Sequence, residues 1–100
     1  MNNRFVSLDD FMQGVCSKDT TVRLNISKDL EEYLQEKYSN LKCTDLIKLC
    51  DALLLWVGSS NTKVAINGMV IVHLLIERLP EKLSTHAIES RFKSLLHEMY

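Results

Sequence analysis

Ser17-Lys18-Asp19-Thr20-Thr21-Val22-Arg23-Leu24-Asn25 returns 42 residues later as Ser59-Ser60-Asn61-Thr62-Lys63-Val64-Ala65-Ile66-Asn67. Ser, Thr, Val and Asn recur identically. Asp19 becomes Asn61 and Leu24 becomes Ile66, so a helix cap stays a cap and an aliphatic side chain stays aliphatic. A period in the low forties is that of HEAT and armadillo solenoids, whose paired helices bury their apolar faces only by stacking on one another. The repeat therefore directs attention to a repeated edge rather than to a catalytic pocket.

The register continues on both sides of this stretch. Leu8, Phe11, Met12 and Val15 fall on Cys50, Leu53, Leu54 and Val57 at the same offset, and these on Phe92, Leu95, Leu96 and Met99. Each set has the spacing i, i+3, i+4, i+7 and so lies on one face of a helix. Three first helices are expected, and a third copy of the opening stretch would start one residue beyond Tyr100. The expected architecture is an all-α, HEAT-like helical-hairpin solenoid of two full repeats plus the first helix of a third. Repeat one covers about 5–40, repeat two about 41–80 and the partial third 81–100, as in a piece of a longer array.

Composition agrees with this class. A chain of 100 residues with 46% apolar and 25% charged residues can bury one modest core, and only three Gly and one Pro favour helices joined by short turns. A net charge of −1 without a basic stripe predicts no nucleic-acid partner. The longest strongly apolar stretch, 64–76, is short of the ~20 residues a bilayer span needs, so no membrane partner is expected. Three cysteines without a C-x-x-C, and an N-terminus without a secretory apolar run, suit a reducing cytoplasm.

Helix boundaries follow from caps and stops. The first helix is expected from Ser7, with Asp10 completing a capping box, to about Cys16. The second starts after Asp19 and runs over about 20–37, with Val22, Ile26, Leu30, Tyr33 and Leu34 on one stripe and a solvated face of Glu31, Glu32, Glu36, Lys28 and Lys37. The third is expected over 43–57, closed by Gly58 as a C′ residue, and the fourth over 62–79, capped by Asn61 and stopped by Pro80. Because the fourth is apolar almost all round, it should be covered on both sides, whereas the second has the polar outer face of an N-terminal cap. A fifth helix over 84–100 would present Ile88, Phe92, Leu95, Leu96 and Met99, which need further HEAT repeats or a second copy to cover them.

Catalytic patterns are absent: no Gly-rich phosphate loop, serine elbow or paired carboxylates across a cleft. The chain reads as a non-enzyme with no cofactor and no metal. His73 has no second ligand at i+4 and reads as a buried neutral histidine, and His86 and His97 lack a completing carboxylate or cysteine. Cys43 and Cys50, seven apart on one expected helix, lie too far apart along its axis for a disulfide. Trp56 is open to two readings: a ring packed between repeats near the edge, or an interface anchor. The turns about 16–21 and 58–63 should lie side by side at one end of the stack, where Lys18, Arg23 and Lys63 add positive charge.

These residues resemble a known family. Leu8-Asp9-Asp10-Phe11, Lys18-Asp19 with Val22-Arg23-Leu24, the stretch 30–34, and above all Trp56-Val57-Gly58-Ser59-Ser60-Asn61-Thr62-Lys63-Val64-Ala65 are similar to the first TOG domain of the cytoplasmic linker-associated proteins, the CLASP family. The likeness covers about 8–83. It implies a microtubule-associated adaptor that regulates microtubule dynamics on the cytoskeleton and spindle, contacting tubulin or microtubules through its intra-repeat turns. The implied tubulin-facing residues are Asp19, Thr20, Thr21 and Arg23 in the first turn and Ser60, Asn61 and Lys63 in the second. Tubulin-polymerase TOG domains carry a Trp in the first turn, whereas nothing aromatic lies between Cys16 and Arg23 here. The alternative is a generic HEAT-repeat scaffold binding a peptide or protein through its helix faces.

Overall fold

The structure, a computed structural model, describes residues 5–79. A 3-10 turn at Leu8–Phe11 runs into α1 (Met12–Val15), followed by α2 (Thr20–Gln35), α3 (Leu46–Val57) and α4 (Thr62–Arg78). Among the described residues there is no strand, and the fold is all-α and HEAT-like. The expected fifth helix, with Phe92, Leu95, Leu96, Met99, His86 and His97, lies outside the described residues.

Two hairpins, α1–α2 and α3–α4, stack so that like helices meet, α1 against α3 and α2 against α4. Side-chain bonds set the direction of the α2–α4 pair. Asn67, early in α4, donates from Nδ2 to Ser27 Oγ in α2 at 3.0 Å, and Arg78 at the end of α4 reaches the carbonyl of Leu34 near the end of α2. The two helices therefore run parallel, and both intra-hairpin turns fall at one end of the stack.

The core lies between the layers. Leu8, Phe11 and Val15 from the first segment meet Leu30 and Leu34 of α2, Leu49, Leu53 and Trp56 of α3, and Val64, Ile71 and Leu75 of α4, all essentially inaccessible. At roughly 1.5–3 kcal/mol for each fully buried large side chain, this shared cluster holds the hairpins together. Ser27 is buried too, and its hydroxyl donates to the Leu24 carbonyl at 2.8 Å while accepting from Asn67, so burial leaves it satisfied.

Several boundaries and exposures differ from expectation. α3 starts at Leu46, not Cys43, because the Asp45 carboxylate caps it by accepting from the Lys48 amide at 3.0 Å. Residues 42–44 are instead held to the start of the chain: Leu8 N donates to the Lys42 carbonyl, and Asp9 accepts from both the amide and the hydroxyl of Thr44. Cys43 and Cys50 are thus not on one helix. At the chain start, by contrast, the expected capping box of Ser7 and Asp10 is present, and the Asp10 carboxylate accepts from the Val6 and Ser7 amides. Gly58 is the C-cap of α3 at φ −88°, so its left-handed freedom is unused. His73 is exposed rather than buried, because among the described residues α2 and α3 cover one side of α4 while Ile66 and Val70 also remain exposed on it.

Candidate binding edge at the intra-hairpin turns

The sequence repeat is a repeat of hydrogen bonds. Ser17 N donates to the Gly14 carbonyl at 3.2 Å and Ser59 N to the Trp56 carbonyl at 2.9 Å, closing α1 and α3 in the same way. Each serine hydroxyl then accepts from the amide two residues on, Ser17 Oγ from Asp19 N and Ser59 Oγ from Asn61 N, both at 3.1 Å. Asp19 Oδ1 in turn accepts from Thr21 N at 2.8 Å and Asn61 Oδ1 from Val64 N at 3.1 Å. A Ser-x-Asp/Asn segment thus supplies a local turn and the following N-cap together, which is why those letters recur.

The seven residues implicated from sequence divide by position. Asp19, Ser60 and Asn61 lie in the turns, whereas Thr20, Thr21, Arg23 and Lys63 belong to the first turns of α2 and α4. Six of them are exposed. Arg23 is half-buried because its Nε donates to the Ser17 carbonyl at 2.6 Å, turning the side chain back onto its own turn. Lys63 keeps its head in solvent and is the better candidate for direct contact.

Helix dipoles do little for this edge. It gathers the N-termini of α2 and α4 together with the C-termini of α1 and α3, so opposite partial charges sit side by side. Its sign is left to side chains, and Lys18, Arg23 and Lys63 outweigh Asp19. Beside it lies a shallow groove lined by Val15, Cys16, Arg23, Lys48, Asp51, Ala52 and Leu55.

Trp56 is wholly buried, which makes it a ring packed between the hairpins and not an exposed anchor. Its indole Nε1 donates to the Val15 carbonyl at 3.0 Å, across the two hairpins. Sequence reasoning placed the ring near the edge but had no signal for this bond.

At the far end, Arg78 holds the connection between the hairpins. Its Nη1 donates to the carbonyls of Leu34 and Glu36, both at 2.8 Å, and to Ser39 Oγ, while Nη2 donates to the carbonyls of Lys37 and Ser39. Tyr33 adds a bond from its hydroxyl to the Asn40 carbonyl at 2.6 Å. The Thr44 amide and hydroxyl hold the Asp9 carboxyl below its ordinary range, so this pin between the hairpins keeps its charged form well into acid.

The cysteines differ by burial. Cys16 is exposed, burial pushes the Cys43 thiol up, and burial pushes Cys50 up to about 12. With iodoacetamide at pH 8, Cys16 should alkylate first, Cys43 slowly and Cys50 only in denaturant. Peptide mass spectrometry resolves the three, and rapid labelling of native Cys50 would contradict the packing of α3. Among the described residues no His, Cys, Asp or Glu cluster is placed to hold a metal, and no helix is long and apolar enough to cross a membrane.

The chain matches the CLIP-associating protein of Drosophila melanogaster at 32% identity over 72 residues, which is 72% of the chain. It matches CLIP-associating protein 1 of Xenopus tropicalis at 35% over 80 residues and CLIP-associating protein 1-B of Xenopus laevis at 35% over 83, 75% and 78% of the chain. The chain is a relative of the CLIP-associating proteins. It spans only 5–6% of the length of these CLASP relatives. No protein-family model and no solved structure matches the chain. The CLASP likeness takes in about three quarters of the chain's residues.

Proposed function

We propose that this chain is part of a TOG domain of CLASP type, a noncatalytic microtubule-associated adaptor of the cytoskeleton and spindle. It contacts tubulin or microtubules through the edge built by the two intra-hairpin turns and so contributes to regulating microtubule dynamics. The observation that carries this reading is the parallel stacking of α2 on α4, which puts both copies of the Ser-x-Asp/Asn turn at one end with Asp19, Thr20, Thr21, Ser60, Asn61 and Lys63 exposed. The positive bias of the edge suits an acidic partner face. Nothing aromatic is offered by the first turn, and the exposed residues this reading assigns to the edge, Asp19, Thr20, Thr21, Ser60, Asn61 and Lys63, are all polar or charged.

Co-sedimentation with microtubules is the direct test. The chain should pellet with them, and Lys63→Glu should weaken binding about tenfold, the scale of ~1.4 kcal/mol at one interfacial charge. Lys63 is preferred to Arg23 because substituting Arg23 also removes a bond that shapes the turn.

One observation favours a second reading, a HEAT scaffold gripping a protein through its helix faces: Leu55 is 70% and Ile66 54% exposed. In that case binding should survive Lys63→Glu and fail with Leu55→Asp or Ile66→Asp.

A further inference from the structure

We infer that Trp56 is a positioning residue that locks the two turns into one preformed edge, a role that rests on the reading of that edge as the binding surface. Its two polar ends touch both turns. The side-chain Nε1 donates to the carbonyl of Val15, the last residue of α1 before the first turn, and the backbone carbonyl of Trp56 accepts from Ser59 N, the bond that opens the second turn. A carbonyl at a helix C-terminus has no partner within its own helix, and here the neighbouring hairpin supplies one.

The ring cannot shift to relax this link. It is fully buried, and α4 approaches so closely at Gly68 that a Cβ there would lie 2.9 Å from Trp56 Cβ and 3.2 Å from the Val57 amide nitrogen. The position 42 residues earlier is Gly14, which has no side chain to reach outward, so within the described hairpins the link runs in one direction, from the second to the first. With its N–H bonded and its ring enclosed, Trp56 fixes the distance between the first turn and the second. An edge that binds by several shallow polar contacts needs that spacing set beforehand, because ordering the turns on binding would subtract from a small total.

The test removes the N–H, once with a smaller ring and once with a ring of nearly the same shape. Trp56→Phe, and the chain carrying 3-benzothienylalanine at position 56, which has sulfur in place of the indole N–H at nearly the same shape, are compared with wild type and with Leu30→Val. The latter is a core change away from both turns. Amide hydrogen exchange is read at Asp19 and Asn61, and microtubule co-sedimentation alongside it. Exchange at Asp19 should quicken by about tenfold in both Trp56 variants, as expected for a lost buried hydrogen bond. Exchange in the middle of α2 should stay slow, and microtubule binding should fall by a similar factor. Leu30→Val should lower the thermal midpoint while leaving the contrast between turn and helix amides unchanged.

Unchanged exchange at Asp19 in the benzothienyl chain would overturn the positioning role, as would wild-type binding by that chain. If wild type itself does not pellet with microtubules, the binding reading fails. The exchange comparison then still decides whether Trp56 holds the turns.

Discussion

Gly68→Val should destabilise the chain by about 3 kcal/mol, the upper part of the usual range for overpacking a core. A Cβ alone at Gly68 meets Trp56 Cβ at 2.9 Å and the Val57 amide nitrogen at 3.2 Å, atoms next to or in the backbone that cannot rotate away. The first hairpin has the same crossing with its parts exchanged. There Gly14 faces Ile26, whose Cγ1 lies 2.9 Å from a Cβ built on the glycine. Gly14 stands 42 residues before Trp56, and Ile26 stands 42 before Gly68.

Each crossing has room for one bulky side chain, and the two hairpins place it on opposite helices. Gly14→Val should cost less than Gly68→Val, because part of what it meets is the flexible end of Ile26. Urea denaturation of the two variants measures the difference. A Gly68→Val chain as stable as wild type would contradict the close approach of α3 and α4.

Arg78→Ala should cost a similar amount, about 3 kcal/mol, since hydrogen bonds to charged groups are worth roughly 1.5–3 kcal/mol each and do not add fully. One guanidinium serves four carbonyls and a hydroxyl across residues 34–39, using both Nη atoms. The carbonyls of Leu34 and Glu36 lie at the C-terminus of α2, where cations are favoured and the helix leaves its acceptors unmatched. Arg78→Lys should recover only a minor part. A single ammonium cannot reproduce the fork that reaches both sides of the connection. The check is the urea midpoint of both variants, and a lysine variant equal to wild type would show that charge alone suffices.

How much of this was legible depends on how local the cause is. Asp19 and Asn61 announce helix starts because a cap acts on amides two or three residues away, and both helices begin one residue later. The start of α3 lies three residues later than expected because Asp45 caps it, a signal as local as the other two. The pull of Asp9 on Thr44 that holds 42–44 out of the helix, however, joins residues 35 apart, and no local pattern encodes it. His73 was expected inside because α4 is so apolar. Hydropathy counts residues, whereas burial depends on which faces α2 and α3 cover.

The candidate edge was legible in part. The letters Ser, Asp, Asn and Lys marked its members, and their recurrence marked the spacing. Arg23 looked from sequence like a free cation, yet it bends back to the Ser17 carbonyl, a rotamer choice invisible in a string of residues. Arg78 carried the one faint signal of a cation in the last turn of a helix, without any indication of what it would hold.

By itself the sequence determined the class of fold, the two repeated turns and the likeness to the CLIP-associating proteins. All three rest on periodicity and on hydrogen bonds closed within a few residues. The tertiary structure alone decided that Trp56 joins the turns, which the sequence already predicts at one end of the stack, and that Arg23 is drawn inward. The Trp56 link joins residues 41 apart and exists only once the apolar faces have met and excluded water, whereas the Arg23 bond spans six residues and is a choice of rotamer that the string of letters does not show.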